Sequence, residues 1–138
     1  MLIAEVAGMS GKPLILLAED ERAIRKVMEI LLESEGHEVL AAKNGREALD
    51  LLEDVTPNVI ITDYMMPEMD GAAFLRAVRG DARLRKLPVL LMSSAQPTEL
   101  PDHHLADQVF LKGGELGSLL GIVASLIARG ASSSAESS

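Results

Sequence analysis

The chain contains no cysteine and no tryptophan, one tyrosine and two phenylalanines. Without cysteine, disulfides, thiolate metal sites and thiol catalysis are excluded. A reducing, cytoplasmic location is compatible with that and is the expectation. Basic residues are scarce relative to acidic ones: 13 Lys and Arg stand against 21 Asp and Glu, for a net charge of −8. Direct nucleic-acid binding usually needs a basic face, so no nucleic-acid partner is expected. Long apolar runs are missing too. None approaches the roughly 20 residues of a membrane-spanning helix, so no membrane partner is expected. Met1 to Ala7 is apolar but brief, with no Lys or Arg ahead of it, and reads as an extension rather than a secretion signal.

What is present describes one domain. A chain of 138 residues, 48% hydrophobic and 25% charged, suffices for one core and is too short for two ordinary ones. Residues 1–12, interrupted by Gly8, Ser10 and Gly11, read as a flexible N-terminal extension. Residues 13–129 carry the folded domain. Residues 130–138 hold only Gly, Ala, Ser and one Glu, and read as a disordered Ser-rich tail.

Between the ends, short apolar runs alternate with helical patterns. The runs are Leu14 to Ala18, Val39 to Ala42, Val59 to Thr62, Val89 to Met92 and Val109 to Leu111. After the first, Ile24, Val27, Met28, Leu31 and Leu32 recur at helical spacing opposite Arg25, Lys26, Glu29 and Glu33, and Gly36 suits the stop. Asn44 and Glu47 form a capping pair for a second helix. Asp70-Gly71 opens a third, carrying Phe74, Leu75 and Val78. Leu116, Leu119, Leu120, Val123, Leu126 and Ile127 mark the last. Such near-continuous apolar strands predict an α/β fold: a doubly wound, five-stranded parallel sheet of flavodoxin-like order 2-1-3-4-5 with right-handed crossovers.

The fourth crossover departs from the pattern. Ala95 to Gln108 contains Pro97 and Pro101, and a proline inside a helix costs about 3 kcal/mol. An atypical, shortened or absent fourth helix is expected there. His103 and His104 in the same polar segment read as an exposed loop, not a site.

Ligands of such sheets bind outside the carboxyl ends of the strands. Those ends carry Glu19 and Asp20, Asp63, Ser93 and Lys112. The predicted order sets strands 1 and 3 side by side, so Asp20 and Asp63 should meet. Crowded carboxylates repel one another and gain protons unless a hard cation such as Mg²⁺ sits among them. Asp20 and Asp63 are the expected ligands, with Glu19 reaching the ion or its water and the Met65 carbonyl completing the set. One Asp63 oxygen is then free to attack phosphorus, giving an acyl phosphate. Mg²⁺, Lys112 and Ser93 would neutralise the oxygens of the transferred group. Taken singly, Lys112 reads as a solvated lysine, Ser93 as a strand-end cap and the acidic pair as a helix cap. Their joint placement is what favours the site.

These residues resemble the receiver domain of two-component response regulators, over about residues 13–129. The matching segments are ILLAEDE, IITDYMMPEMDG, PVLLMSS and VFLK. The resemblance implies that Asp63 accepts phosphate from the phosphohistidine of a sensor histidine kinase or a phosphotransfer protein. It implies Mg²⁺ at Glu19, Asp20, Asp63 and the Met65 carbonyl, with Ser93 and Lys112 holding phosphoryl oxygens. It also implies slow self-dephosphorylation rather than an enzyme's turnover. Three positions depart from the family pattern: Val109 replaces a common aromatic, Gly113-Gly114 replaces a proline after the lysine, and the fourth helix is broken. The leading reading is a signalling switch that acts on an unidentified downstream protein. Its rivals are a degenerate receiver that binds protein without phosphate and, behind it, a Mg²⁺-dependent hydrolase. In such hydrolases an Asp often stands two residues past the nucleophile, where this chain has Met65.

Overall fold

Leu14–Ala18, Val59–Asp63 and Val89–Ser93 place no polar residue before their last one or two positions. Strands of that kind are covered on both faces. In the computed structural model, which describes residues 11–96 and 100–137 with side chains as far as Gly130, all fifteen of these residues are buried. They form β1 (Leu14–Ala18), β3 (Val59–Asp63) and β4 (Val89–Ser93), flanked by the edge strands β2 (Glu38–Ala42) and β5 (Gln108–Leu111). Every pairing is parallel and the order is β2-β1-β3-β4-β5, as the alternation predicted.

Strand alternation divides the core into two layers. Leu16, Ile60 and Leu91 face α2 (Gly45–Leu52) and α3 (Gly71–Gly80), meeting Leu52, Phe74 and Val78. Ile15, Leu17, Ile61 and Leu90 face α1 (Arg22–Ser34) and α4 (Leu116–Ser137), meeting Met28, Leu32, Leu119 and Val123. Val109 packs in the first layer and Phe110 in the second, as their alternation requires. Two residues of the expected helical stripes leave the core: Val27 is 49% and Leu116 44% exposed. The stripe of α1 is wider than the strip of sheet it covers. Only Met28 and Leu32 are fully buried from that helix, and Val27 and Leu116 are left lining an apolar groove of about 330 Å³.

Helix ends follow local chemistry. The Asn44 side chain accepts from the Glu47 N–H at 2.8 Å, while Glu47 Oε1 accepts from the Lys43 N–H at 2.9 Å. Asp70 caps α3 through the Ala73 N–H at 2.9 Å. Gly36, at φ +90°, ends α1 in the left-handed region open to glycine.

Between β4 and β5 the described residues form no α-helix, only a 3-10 turn at His103–Leu105. Pro101 stands two residues ahead of it, and Pro97 lies outside the described residues. The connection is fastened to α3 instead. Arg76 pairs with Asp102, and Arg79 donates to the Leu105 carbonyl at 2.8 Å and to Asp107 at 3.0 Å. His104 is exposed, and His103 Nδ1 donates to the Leu100 carbonyl at 3.0 Å. The expected tail is also different. The backbone of α4 stays helical through Ser137, because Ala and Ser are tolerated once a helix has been nucleated. Most of the expected N-terminal extension, residues 1–10, lies outside the described residues.

Gly71 fixes the entry to α3. Its N–H donates to the Tyr64 carbonyl at 2.7 Å, and a Cβ there would meet Tyr64 Cα at 2.6 Å and the Asp63 carbonyl at 2.9 Å. Both neighbours are backbone and cannot step aside. Gly71→Ala is therefore expected to destabilise the fold by about 1–3 kcal/mol, read as a lower urea midpoint with unchanged slope.

Candidate functional site

Register places the side chains. Ala18 lies opposite Thr62, so Glu19 and Asp63 leave adjacent strands at the same level. Asp63 lies opposite Met92, and Ser93 opposite Leu111, so Ser93 and Lys112 follow one step on. Ladder-like bonds continue past the strand ends: Glu19 N–H to the Ala42 carbonyl (3.0 Å), Tyr64 N–H to that of Met92 (2.8 Å) and Lys112 N–H to that of Ser93 (2.7 Å). The site residues thus inherit the rigidity of the sheet.

Glu19 is fully buried, Asp63 is 3% exposed, and Asp20 is exposed at the rim. One carboxylate oxygen from each lies within 4.8 Å of the other two. Lys112 Nζ donates to Asp63 Oδ2 at 2.8 Å and stands 3.3 Å from Glu19 Oε1. Glu19 Oε2 accepts from the Glu21 N–H at 3.0 Å. Asn44 Nδ2 donates to Glu68 at 3.1 Å, tying the loop after β3 to the start of α2.

Burial pushes the Asp63 carboxyl above its ordinary range. The hydrogen bond and charge of Lys112 pull it back, Asp20 pushes it up again, and the Met65 N–H helps to hold it down. Burial likewise raises Glu19, with the Glu21 N–H opposing and Asp63 adding to the rise. For Lys112, burial alone would lower the ammonium. Its bond and charge pairing with Asp63, and then Glu19, outweigh that and hold it above the usual lysine range. Three carboxylates against one ammonium leave two negative charges uncompensated at a mostly buried point. An all-oxygen, acid-rich donor set of this size fits a hard divalent cation such as Mg²⁺.

The structure therefore brings together Glu19, Asp20, Asp63 and Lys112 as the sequence suggested. Ser93 reaches the same end of the sheet but is engaged locally: its hydroxyl accepts from the Ala95 N–H at 2.9 Å and donates to the Ala95 carbonyl at 3.2 Å. The Met65 side chain is 68% exposed. Sequence reasoning missed Arg25, read only as part of a polar face. Its Nη1 donates to the carbonyls of Glu19 at 2.8 Å and Asp20 at 3.3 Å. The available signal was a run of cations, Arg22, Arg25 and Lys26, near a helix N-terminus whose dipole disfavours them.

Comparison with known proteins agrees with this architecture. A family model described as "Response regulator receiver domain" matches residues 15–110. The two-component response regulator ORR11 of Oryza sativa subsp. indica is 42% identical over 102 residues, which cover 71% of this chain and 69% of that protein. Chemotaxis response regulator CheY4 of Vibrio cholerae superposes with a TM-score of 0.78 at 28% identity, over 83% of this chain and 98% of that one. Response regulator TrrA of Thermotoga maritima, solved in complex with Mg²⁺-BeF, superposes with a TM-score of 0.76 at 25% identity, over 83% and 98%. The chain belongs to the response regulator receiver domain family of two-component signalling.

Lys112→Met removes the counter-charge and leaves buried carboxylate oxygens unpaired. In metal-free protein the Asp63 and Glu19 carboxyls should titrate higher still, followed by carbonyl-detected NMR. Stability at pH 7 should fall by about 1–3 kcal/mol. A carboxyl raised in the folded state binds more protons there than in the unfolded chain. The loss should accordingly shrink as pH falls from above the raised folded-state values toward the ordinary carboxylate range.

Proposed function

We propose that Asp63 is the phosphoacceptor of this receiver domain, loaded from the phosphohistidine of a sensor histidine kinase or a phosphotransfer protein. The observation that carries this reading is the placement of Asp63. It is buried at a strand end, hydrogen-bonded to Lys112 at 2.8 Å, and joined to Glu19 and Asp20 in a cation-sized cluster. An Asp63 carboxylate oxygen forms the new bond to phosphorus as the bond from phosphorus to the histidine nitrogen breaks, and the imidazole leaves with its electron pair. Lys112 passes from a carboxylate partner to a phosphoryl oxygen. Mg²⁺, held by Glu19, Asp20, Asp63 and the Met65 carbonyl, would supply neutralisation of the phosphoryl charge.

Ser93 gives the modification a route outward. To donate to a phosphoryl oxygen its hydroxyl must let go of the Ala95 carbonyl, which begins the connection between β4 and β5. The partner that delivers phosphate has a surface to meet beside the site. Val27 and Leu116, with Ala23, Ile24 and Phe110, line the apolar groove that reaches Lys112, and Ile30 stands exposed nearby on α1. That surface suits the apolar stripe of a helical phosphohistidine donor. A cytoplasmic location follows from such a partner and agrees with the absence of cysteine.

Incubation with a small acyl phosphate and Mg²⁺ tests the assignment. The wild-type chain should take up one acid-stable, hydroxylamine-labile phosphate, while Asp63→Asn should take up none. Equal labelling of the two would remove Asp63 as acceptor. Sustained turnover of phosphate esters by the wild type would favour a hydrolase.

A further inference from the structure

We infer that Arg25 is a positioning residue for the acidic metal site: it sets the direction in which Asp20 presents its carboxylate. The inference rests on the proposed Mg²⁺ site and goes beyond it by naming a side chain that touches neither the ion nor phosphate. Only Glu19, Asp20 and Glu21 link β1 to α1. Glu19 is held from both ends, by its N–H on the Ala42 carbonyl and by Oε2 on the Glu21 N–H. Asp20 is exposed, and a single rim residue on a three-residue link has little packing to aim it.

Arg25 supplies what packing does not. Its Nη1 donates to the Glu19 carbonyl at 2.8 Å and to the Asp20 carbonyl at 3.3 Å. Those two carbonyls belong to the peptide planes on either side of the Asp20 Cα. Fixing both planes fixes the Cα–Cβ direction, and with it the line along which the carboxylate reaches Glu19 and Asp63. Arg25 can act this way because its own backbone is anchored in α1, its N–H bonding to the Glu21 carbonyl at 2.9 Å. The N-cap residue Glu21 makes no side-chain capping bond, and no acid occupies the first turn. The end of this helix is thus built around a cation that its dipole disfavours. A local rule broken at a functional site is where a second role is expected.

Charge and geometry make opposite predictions, which renders the inference testable. As a mere positive charge near the cluster, Arg25 would weaken cation binding, and its removal would tighten it. As a positioning residue its removal must loosen binding, on the scale of outer-shell partners of metal ligands, about tenfold.

The experiment is calorimetric titration of Mg²⁺ into the full chain, wild type beside Arg25→Ala and Arg25→Lys, with metal-free thermal unfolding of each. Arg25→Ala is expected to bind Mg²⁺ about tenfold more weakly. Arg25→Lys, which keeps the charge and donors on a shorter arm without the planar fork, is expected to lie between it and wild type. Unchanged or tighter binding by Arg25→Ala overturns the assignment, as does a loss confined to the metal-free melting temperature. Failure of the wild type to bind Mg²⁺ overturns the metal site itself, an outcome separate from failure of Arg25. Should Arg25→Ala not fold, Arg25→Lys carries the test: affinity equal to wild type overturns the inference and weaker affinity supports it.

Discussion

Carboxylates crowded at the end of a buried sheet are the constraint around which the molecule is arranged. Glu19 and Asp63 leave adjacent strands at one level, so their proximity follows from backbone register and cannot relax without breaking the ladder. Water is largely shut out from both, which strengthens their mutual repulsion. Lys112 answers part of that charge from the next-but-one strand. The remainder is the electrostatic reason a divalent cation, or a group that carries its own neutralising partners, is drawn to the site. The phosphoryl chemistry proposed for Asp63 would draw on this same imbalance.

The strands and the residues that end them were legible because the code at that level is short and local. Runs of three to five mostly apolar residues followed by Glu, Asp, Ser or Lys read the same way in isolation as they do in the sheet. Strand order then supplied the meeting of Asp20 with Asp63 by topology alone. What stayed hidden depends on contacts that no spacing announces. Arg25 finds its role only when the link after β1 turns its carbonyls toward α1. The Ser93 hydroxyl is engaged by both the N–H and the carbonyl of Ala95, a local pairing that its place at a strand end does not announce. Val27 and Leu116 share the periodicity of core residues, yet that pattern reports a stripe's direction and not where the sheet beneath it ends. Past Gly130, small polar composition suits both a tail and the continuation of an existing helix, and the backbone is helical through Ser137.

The connection between β4 and β5 is built differently from the other crossovers of this chain. Its described residues form no α-helix, which a proline such as Pro101 disfavours, and arginines fasten it to α3: Arg76 to Asp102, and Arg79 to Leu105 and Asp107. The phenol of Tyr64, next in sequence to Asp63, donates to the Pro101 carbonyl at 3.3 Å. Leu100 is buried in the layer of Phe74 and Val78, with Leu105 and Ala106 packed against it, so apolar contact holds the segment alongside these polar bonds. Val109 packs inward against the same layer.

The long chain separation within the site has a consequence for synthesis. Glu19, Asp20 and Asp63 leave the ribosome well before Lys112, which follows β5, the last strand in sequence and an edge of the sheet. In a nascent chain with β1 and β3 paired and β5 not yet made, these acids would meet with no ammonium to oppose them. Closure of the sheet edge by β5 is then an electrostatic event as well as a hydrophobic one. The ammonium that meets Glu19 and Asp63 would then act as the clasp of the finished fold.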